Sequence, residues 1–320
     1  MSVRRCWRCR DVAGDCGVRV RRRHARRGVG YSVMSDALDS IDPAAHATAR
    51  DQIRTTARRY EIDRYLSALL APRAARDDLI ALAAFSGELH RIGETVSEPM
   101  LGEIRFQWWR DALDSGARGE KTGHPIADAV TGVVQRYRLS PERLLEMLDV
   151  HAHRLYADPP ASRDALSLEL DLTEGVMFDV AARVLGCAPK PLLARAVQSA
   201  GRGYGLARIA TTLARSLSRG REPFPPRADW LTLASARDWR AELADIVVMS
   251  RACVDDLRVV LADMGRDRAG VMTAMLPVAV VEPYLKALQR LDHDPLRDIA
   301  EIVPLTRVAR IAGAHLRRRL

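Results

Sequence analysis

The chain is poor in lysine, in aromatic residues, in long apolar runs and in cysteine. Only Lys121, Lys190 and Lys286 stand among its 50 basic residues. Arg- and Ala-rich usage of this kind fits a GC-rich genome, so arginine identity alone carries little functional weight. Aromatic residues make up 5% of the 320 positions against 48% apolar. Ala, Leu, Val and Ile must therefore supply the core, and a chain of this length can bury a sizeable one. No apolar run reaches the roughly 20 residues a membrane-spanning helix needs. The longest, Gly270 to Val281, contains Pro277. The body is expected to be soluble and cytoplasmic, with contact at the inner face of the cytoplasmic membrane left open. Cys187 and Cys253 are isolated in apolar surroundings and are expected as buried thiols. Nothing in the cysteine usage points to an oxidising compartment.

Charge is unevenly placed. The net charge is +9, yet ten arginines against Asp11 and Asp15 put eight of those charges into residues 1–33. The rest of the chain is near neutral, so no nucleic-acid partner is expected. Residues 1–33 show no helical or strand period and lack the apolar region of a secretory signal. They also fit a mitochondrial presequence poorly. Met34 opens a plausible protein start, so 1–33 is expected to be a disordered tail arising from an upstream start assignment. Cys6, Cys9, Cys16 and His24 within it form a weak zinc signal without a second close pair. Residues 34–320 are expected to form one domain.

That domain reads as helical. Leu79, Leu82, Phe85, Leu89, Ile92 and Val96 recur at spacings of three and four, as do Leu144, Leu145, Leu148 and His151. Ser140-Pro141-Glu142 is a helix start, with Ser as N-cap. Ser115–Gly123 reads as a charged, Gly-rich loop, and prolines at 159–160, 223–226 and 304 break the chain. No alternating strand and no internal repeat stands out.

Several ordered segments resemble the squalene/phytoene synthase family. They are Asp63–Arg76, Ala81–Phe85, Glu169–Gly186 and Gly205–Arg221. The resemblance implies an all-α fold of the isoprenoid synthase type with a central cavity. It also implies two Asp-rich clusters that hold Mg²⁺, which in turn holds substrate diphosphates. Carboxylates four apart on a helix suit that hard cation. Here the first cluster's aspartate positions carry His90, Arg91 and Glu94, and the second cluster carries Thr212 and Ser216. No carboxylate lies between Ala207 and Arg221. The resemblance therefore implies no confident catalytic residue and no metal ligand set, with Mg²⁺ relevant only to the alternative of an active head-to-head prenyl diphosphate transferase.

What stands there instead is positive. Arg208, Thr212, Arg215 and Arg219 share one helix stripe, opposite Leu206, Ala210, Leu213 and Leu217. By periodicity alone this is a solvated face of an amphipathic helix. By resemblance it lines the cavity. The candidate anion-binding residues are Arg208, Arg215, Arg219, Arg221, Glu94 and Arg105, with an apolar tail expected against Leu213 and Phe85. Ala84–Leu89, Val96–Glu98, Gly102–Trp109 and Leu213–Arg221 look like one branch of the family, the phytoene-synthase-like assembly factors of respiratory complex I and their bacterial relatives. The resulting expectation is a non-catalytic accessory or assembly protein. Complex I subunits are its implied partners, and a prenyl or lipid ligand is compatible with its cavity.

Overall fold

A computed structural model describes residues 43–96, 98–156, 158–225, 238–265, 268–290 and 292–320, with side chains from residue 48 onward. The tail 1–33 and its cysteines lie outside these residues. Among the described residues the chain is helical and has no strand, an all-α architecture as the sequence leads one to expect. The order is α1 (Pro43–Tyr60), α2 (Ile62–Leu69), α3 (Arg73–Thr95), α4 (Pro99–Ala117), α5 (Pro125–Tyr137), α6 (Pro141–His153) and α7 (Arg163–Leu170). A π-helical turn (Asp171–Gly175) leads into α8 (Val176–Val184). There follow α9 (Pro191–Thr211), α10 (Leu213–Leu217), α11 (Trp239–Asp263), α12 (Arg268–Ala274), a 3-10 turn (Leu276–Val280), α13 (Val281–Leu288) and α14 (Pro304–Arg317).

Proline sets many of the starts. α4, α5, α6, α9 and α14 each begin with proline in the first turn. Its fixed φ is helical, and the N–H it lacks has no intrahelical acceptor there. Two apolar clusters form behind these starts. One gathers Phe85, Leu89, Phe106, Trp109 and Leu144 from α3, α4 and α6. The other gathers Phe178, Tyr204, Leu257, Leu285 and Ile311 from α8 onward. α8 serves both, giving Phe178 and Ala182 to one and Met177, Val180 and Val184 to the other. Each fully buried side chain of this size contributes about 1.5–3 kcal/mol.

Four local expectations need correction. The loop after α4 is shorter than Ser115–Gly123, because the helix continues to Ala117. Ser140 holds the N-cap position of α6, but its hydroxyl meets the Glu142 carboxylate rather than a backbone N–H. Cys187 and Cys253 are half-buried, not enclosed. Residues 205–219 do not form one continuous helix either. Thr211 and Thr212 both donate side-chain hydrogen bonds to the Arg208 carbonyl, at 2.8 and 3.0 Å. Hydroxyls that bond back to the preceding turn compete with the helix ladder, and α9 gives way to α10 at Thr212.

One close approach positions the functional region. A Cβ on Gly201 would stand 2.7 Å from the backbone of Gly175. A Cβ on Gly205 would stand 2.5 Å from the Leu170 side chain and 3.2 Å from Cγ of Glu174. Two glycines four apart thus open a slot on α9 for the π-helical turn. Such turns widen the backbone by one residue and recur at functional sites. Here the turn carries Glu174 inward.

Candidate functional site

The slot fixes a buried charge network. The Arg208 guanidinium, one turn past Gly205, spans two carboxylates: Nη2 to Glu61 Oε1 at 2.9 Å and Nη1 to Glu174 Oε1 at 2.9 Å. Both glutamate side chains are almost fully enclosed. Arg64 of α2 donates to Glu174 as well and stacks on Phe178 at 4.6 Å. His90 Nδ1 lies 2.8 Å from the Ser86 carbonyl oxygen and 3.1 Å from Glu61 Oε1. Both are acceptors, so Nδ1 carries the proton. Ser86 Oγ donates to the same Glu61 oxygen at 3.2 Å.

Electrostatics follow from this geometry. Burial pushes Glu61 up, but Arg208, His90 and Arg64 together outweigh it and hold the carboxyl far below its ordinary range. Glu174 is likewise raised by burial and lowered further by Arg208, Arg64 and His90, for a net fall. Arg208 is disfavoured by burial, yet the two glutamates keep its pKa well above the ordinary value. His151, whose ring is 5.1 Å from that of His90, is pushed well below 6.5 by burial and then by the neighbouring His90, Arg154 and Arg208. It is neutral at pH 7.

A second buried group sits beside the first. Asp63 accepts from Tyr204 at 3.1 Å and Tyr284 at 2.9 Å and pairs with Arg307 Nε at 2.7 Å. These bonds tie α2, α9, α13 and α14 together.

The cavity, about 250 Å³, opens above Glu174 and Arg208, enough for one headgroup or short chain. His90, Glu94, Arg208, Thr212, Arg215, Ser216, Arg219 and Arg221 all line it. Arg91 and Arg105 do not. Arg91 pairs with Glu88 at 2.6 Å, and Arg105 donates to Thr95 at 3.2 Å on the exposed face. Glu98 and Glu103 are outside the lining too. Leu213 and Phe85 are fully buried in the core and cannot receive a ligand tail. The apolar wall comes instead from the partly exposed Tyr60 and Ile209. His151 and His153 both contribute to the lining.

The arginines on that wall are not equivalent. Arg215 is paired with Glu94 at 2.8 Å, and Arg154 with Glu169 at 2.8 Å. Arg221 donates to the Gly93 carbonyl at 2.6 Å. Burial and then the charge of Arg219 lower the pKa of Arg221, and both side chains line the cavity. Sequence reasoning missed Glu61, Arg64 and Glu174. The only available signal for Glu174 was the Gly201/Gly205 spacing, which reveals a slot only when its occupant is known.

The residues present do not fit the Mg²⁺ that the family resemblance implies. Glu94 is the sole carboxylate at the former aspartate positions, and Arg215 engages it. Glu61 and Glu174 could offer hard oxygen ligands, but a fixed guanidinium already spans them. Among the described residues no group of three or more His, Cys, Asp or Glu side chains is arranged to hold a metal ion.

Comparison with known proteins bears on this arrangement. The family model for squalene/phytoene synthase matches residues 57–309. The mouse protein named NADH dehydrogenase (ubiquinone) complex I, assembly factor 6 is 27% identical over 298 residues, covering 89% of this chain and 86% of that protein. Its rat counterpart is 28% identical over 289 residues, covering 86% and 83%. The human counterpart is 25% identical over 252 residues, covering 74% and 73%. Among solved structures, squalene synthase HpnC from Alicyclobacillus acidocaldarius superposes with a TM-score of 0.64 at 17% identity, covering 82% of this chain and 99% of that one. A dehydrosqualene synthase in complex with ligand gives 0.66 at 13% identity, covering 87% and 100%. At these identities the two structures establish the isoprenoid synthase fold and nothing more.

Proposed function

The chain belongs to the squalene/phytoene synthase family, and from that premise we propose that it is a non-catalytic accessory protein in the assembly of respiratory complex I. The observation that carries the non-catalytic half is Arg208 bridging Glu61 and Glu174 at 2.9 Å on each side. A guanidinium stands between two carboxylates that would otherwise be candidates for a divalent ion. It cannot be exchanged, and it cannot coordinate a diphosphate leaving group as a metal does. The relatives named as complex I assembly factors support the other half.

In this reading the cavity retains one capacity, the binding of a single anionic headgroup at Arg219 and Arg221. An incoming phosphate relieves their mutual repulsion and accepts charge-assisted hydrogen bonds without metal. Tyr60 and Ile209 then offer the apolar wall for an isoprenoid or lipid chain.

The test of the assembly role is deletion of the gene in its host, with respiratory membranes resolved on native gels. The expected result is loss of assembled complex I, restored by the wild-type chain. Unchanged complex I in the deletion strain overturns the proposal.

A further inference from the structure

We infer that the outer face of α14 docks on an anionic lipid surface. This inference stands independently of the cavity and of what the cavity holds.

α14 presents two opposed faces. The inner one is fixed. Ile311 and Ala314 are buried, Arg307 reaches Asp63 at 2.7 Å, and Arg310 Nε donates to the Ala279 carbonyl at 3.3 Å. The outer one is apolar and exposed. Leu305, Val308, Ala309, Ala312 and Leu316 fall within about 100° of arc at helical spacing. Leu305 is 76% exposed and Leu316 80% exposed, values far from those of a core stripe. A helix whose apolar side faces away from its own protein needs another apolar phase to meet.

The charge beside the stripe says which phase. Between Ile302 and Leu320 there is no Asp or Glu, and besides the inward Arg307 and Arg310 the segment carries Arg317, Arg318 and Arg319. Arg317, Arg318 and Arg319 are exposed at the helix end. Arg318 takes the left-handed cap conformation (φ 50°), and the Arg319 N–H closes on the Ala314 carbonyl at 3.1 Å. Arg268 holds the Arg318 carbonyl at 3.1 Å. The basic cluster is thus set at one place rather than left on a free end. Arginine in a last turn also complements the helix dipole, but the dipole does not account for the apolar stripe beside it. An apolar stripe bordered by arginine and free of acid matches a bilayer interface with anionic headgroups, where leucines enter the acyl boundary and arginines meet phosphates. No single described helix is long and apolar enough to cross a membrane, so the contact is one of lying on the surface.

The test is co-sedimentation of the full chain with vesicles of phosphatidylcholine alone and of phosphatidylcholine with phosphatidylglycerol. The wild type is expected to partition onto the anionic vesicles. L305Q/L316Q is expected to lower that partitioning at least tenfold, and R317Q/R318Q/R319Q to lower it to the level that high salt produces in the wild type. The substituted side chains are exposed, and an unchanged thermal midpoint verifies that each variant is folded. Residues 1–33 are basic and act equally in every protein compared, so the L305Q/L316Q difference isolates the stripe. Equal partitioning of L305Q/L316Q and wild type overturns the proposal, as does a wild type that ignores anionic vesicles. If the wild type ignores vesicles but forms a dimer that L305Q/L316Q dissociates, the stripe is an interface between copies and the lipid assignment falls.

Discussion

Arg208 meets Glu174 at 2.9 Å because Gly205, three residues earlier on the same helix, leaves room for the Glu174 stem. The pair links an irregular backbone turn to a buried charge, and it explains why glycine, arginine and glutamate occur where they do. It also makes the packing of α9 directly measurable.

The slot should fail when filled. Gly201→Ala places a methyl 2.7 Å from Gly175 backbone atoms, which cannot rotate away. Overpacking of this kind costs about 1–3 kcal/mol, or more where only backbone can yield. Gly132→Ala in α5 is the control, since nothing lies within 4 Å of its added methyl. Helix propensity should stabilise it by up to about 1 kcal/mol. Urea denaturation of the two variants should therefore give changes of opposite sign.

Removing the bridge should be costly. Arg208→Met leaves Glu61 and Glu174 sharing Arg64 alone among the arginines. Breaking one partner out of a buried ion network costs about 3–5 kcal/mol. Adding Glu61→Gln should return part of that loss. If the single substitution leaves the denaturation midpoint unchanged, the network is not the structural centre described here.

Acid should unfold the protein in two stages. Burial, and then the cationic neighbours, lower the His151 pKa below 6.5 in the folded state. The unfolded chain then binds that proton first, so stability falls as pH drops through 6.5. Glu61 and Glu174 are also depressed, from an ordinary value of 4.5. Their contribution is present above that value and is lost as pH falls below it. Asp63 acts oppositely, because burial raises it above 3.8 despite Arg307. The thermal midpoint should decline from pH 7 to pH 5, and His151→Gln should flatten that segment. An unaltered slope in the variant contradicts the assignment.

Anion binding should be independent of metal and confined to the rim. Titration calorimetry with a prenyl diphosphate in EDTA should show binding that weakens with salt. Arg219→Gln with Arg221→Gln should weaken it about tenfold, near 1.4 kcal/mol, because both groups are partly solvated. Arg105→Gln should change nothing, since Arg105 lies outside the lining. Equal affinity in wild type and the rim variant would remove the rim from the account.

The sequence revealed the fold more fully than the site. Helical spacing in Leu79–Val96 and the helix start at Pro141 are local signals, and they survived folding. The stripe Arg208, Thr212, Arg215 and Arg219 does line a cavity, although Thr212 interrupts the helix that carries it. What local spacing could not show was pairing across distance. Arg208 and Arg215 have spent their charge on Glu174 and Glu94, partners 34 and 121 residues away. Glu61 sits among charged residues at the start of α2, with no sequence feature to mark it as buried.

In the proposed reading the Arg208 guanidinium fills the space between Glu61 and Glu174, and no metal-dependent condensation is retained. That loss is tested most directly by incubating the purified chain with farnesyl or geranylgeranyl diphosphate and Mg²⁺ and analysing the products by mass spectrometry. Neither squalene nor phytoene is expected to form, with or without the metal. Formation of either product by the wild type, abolished by Glu94→Ala or by EDTA, would contradict the proposed reading.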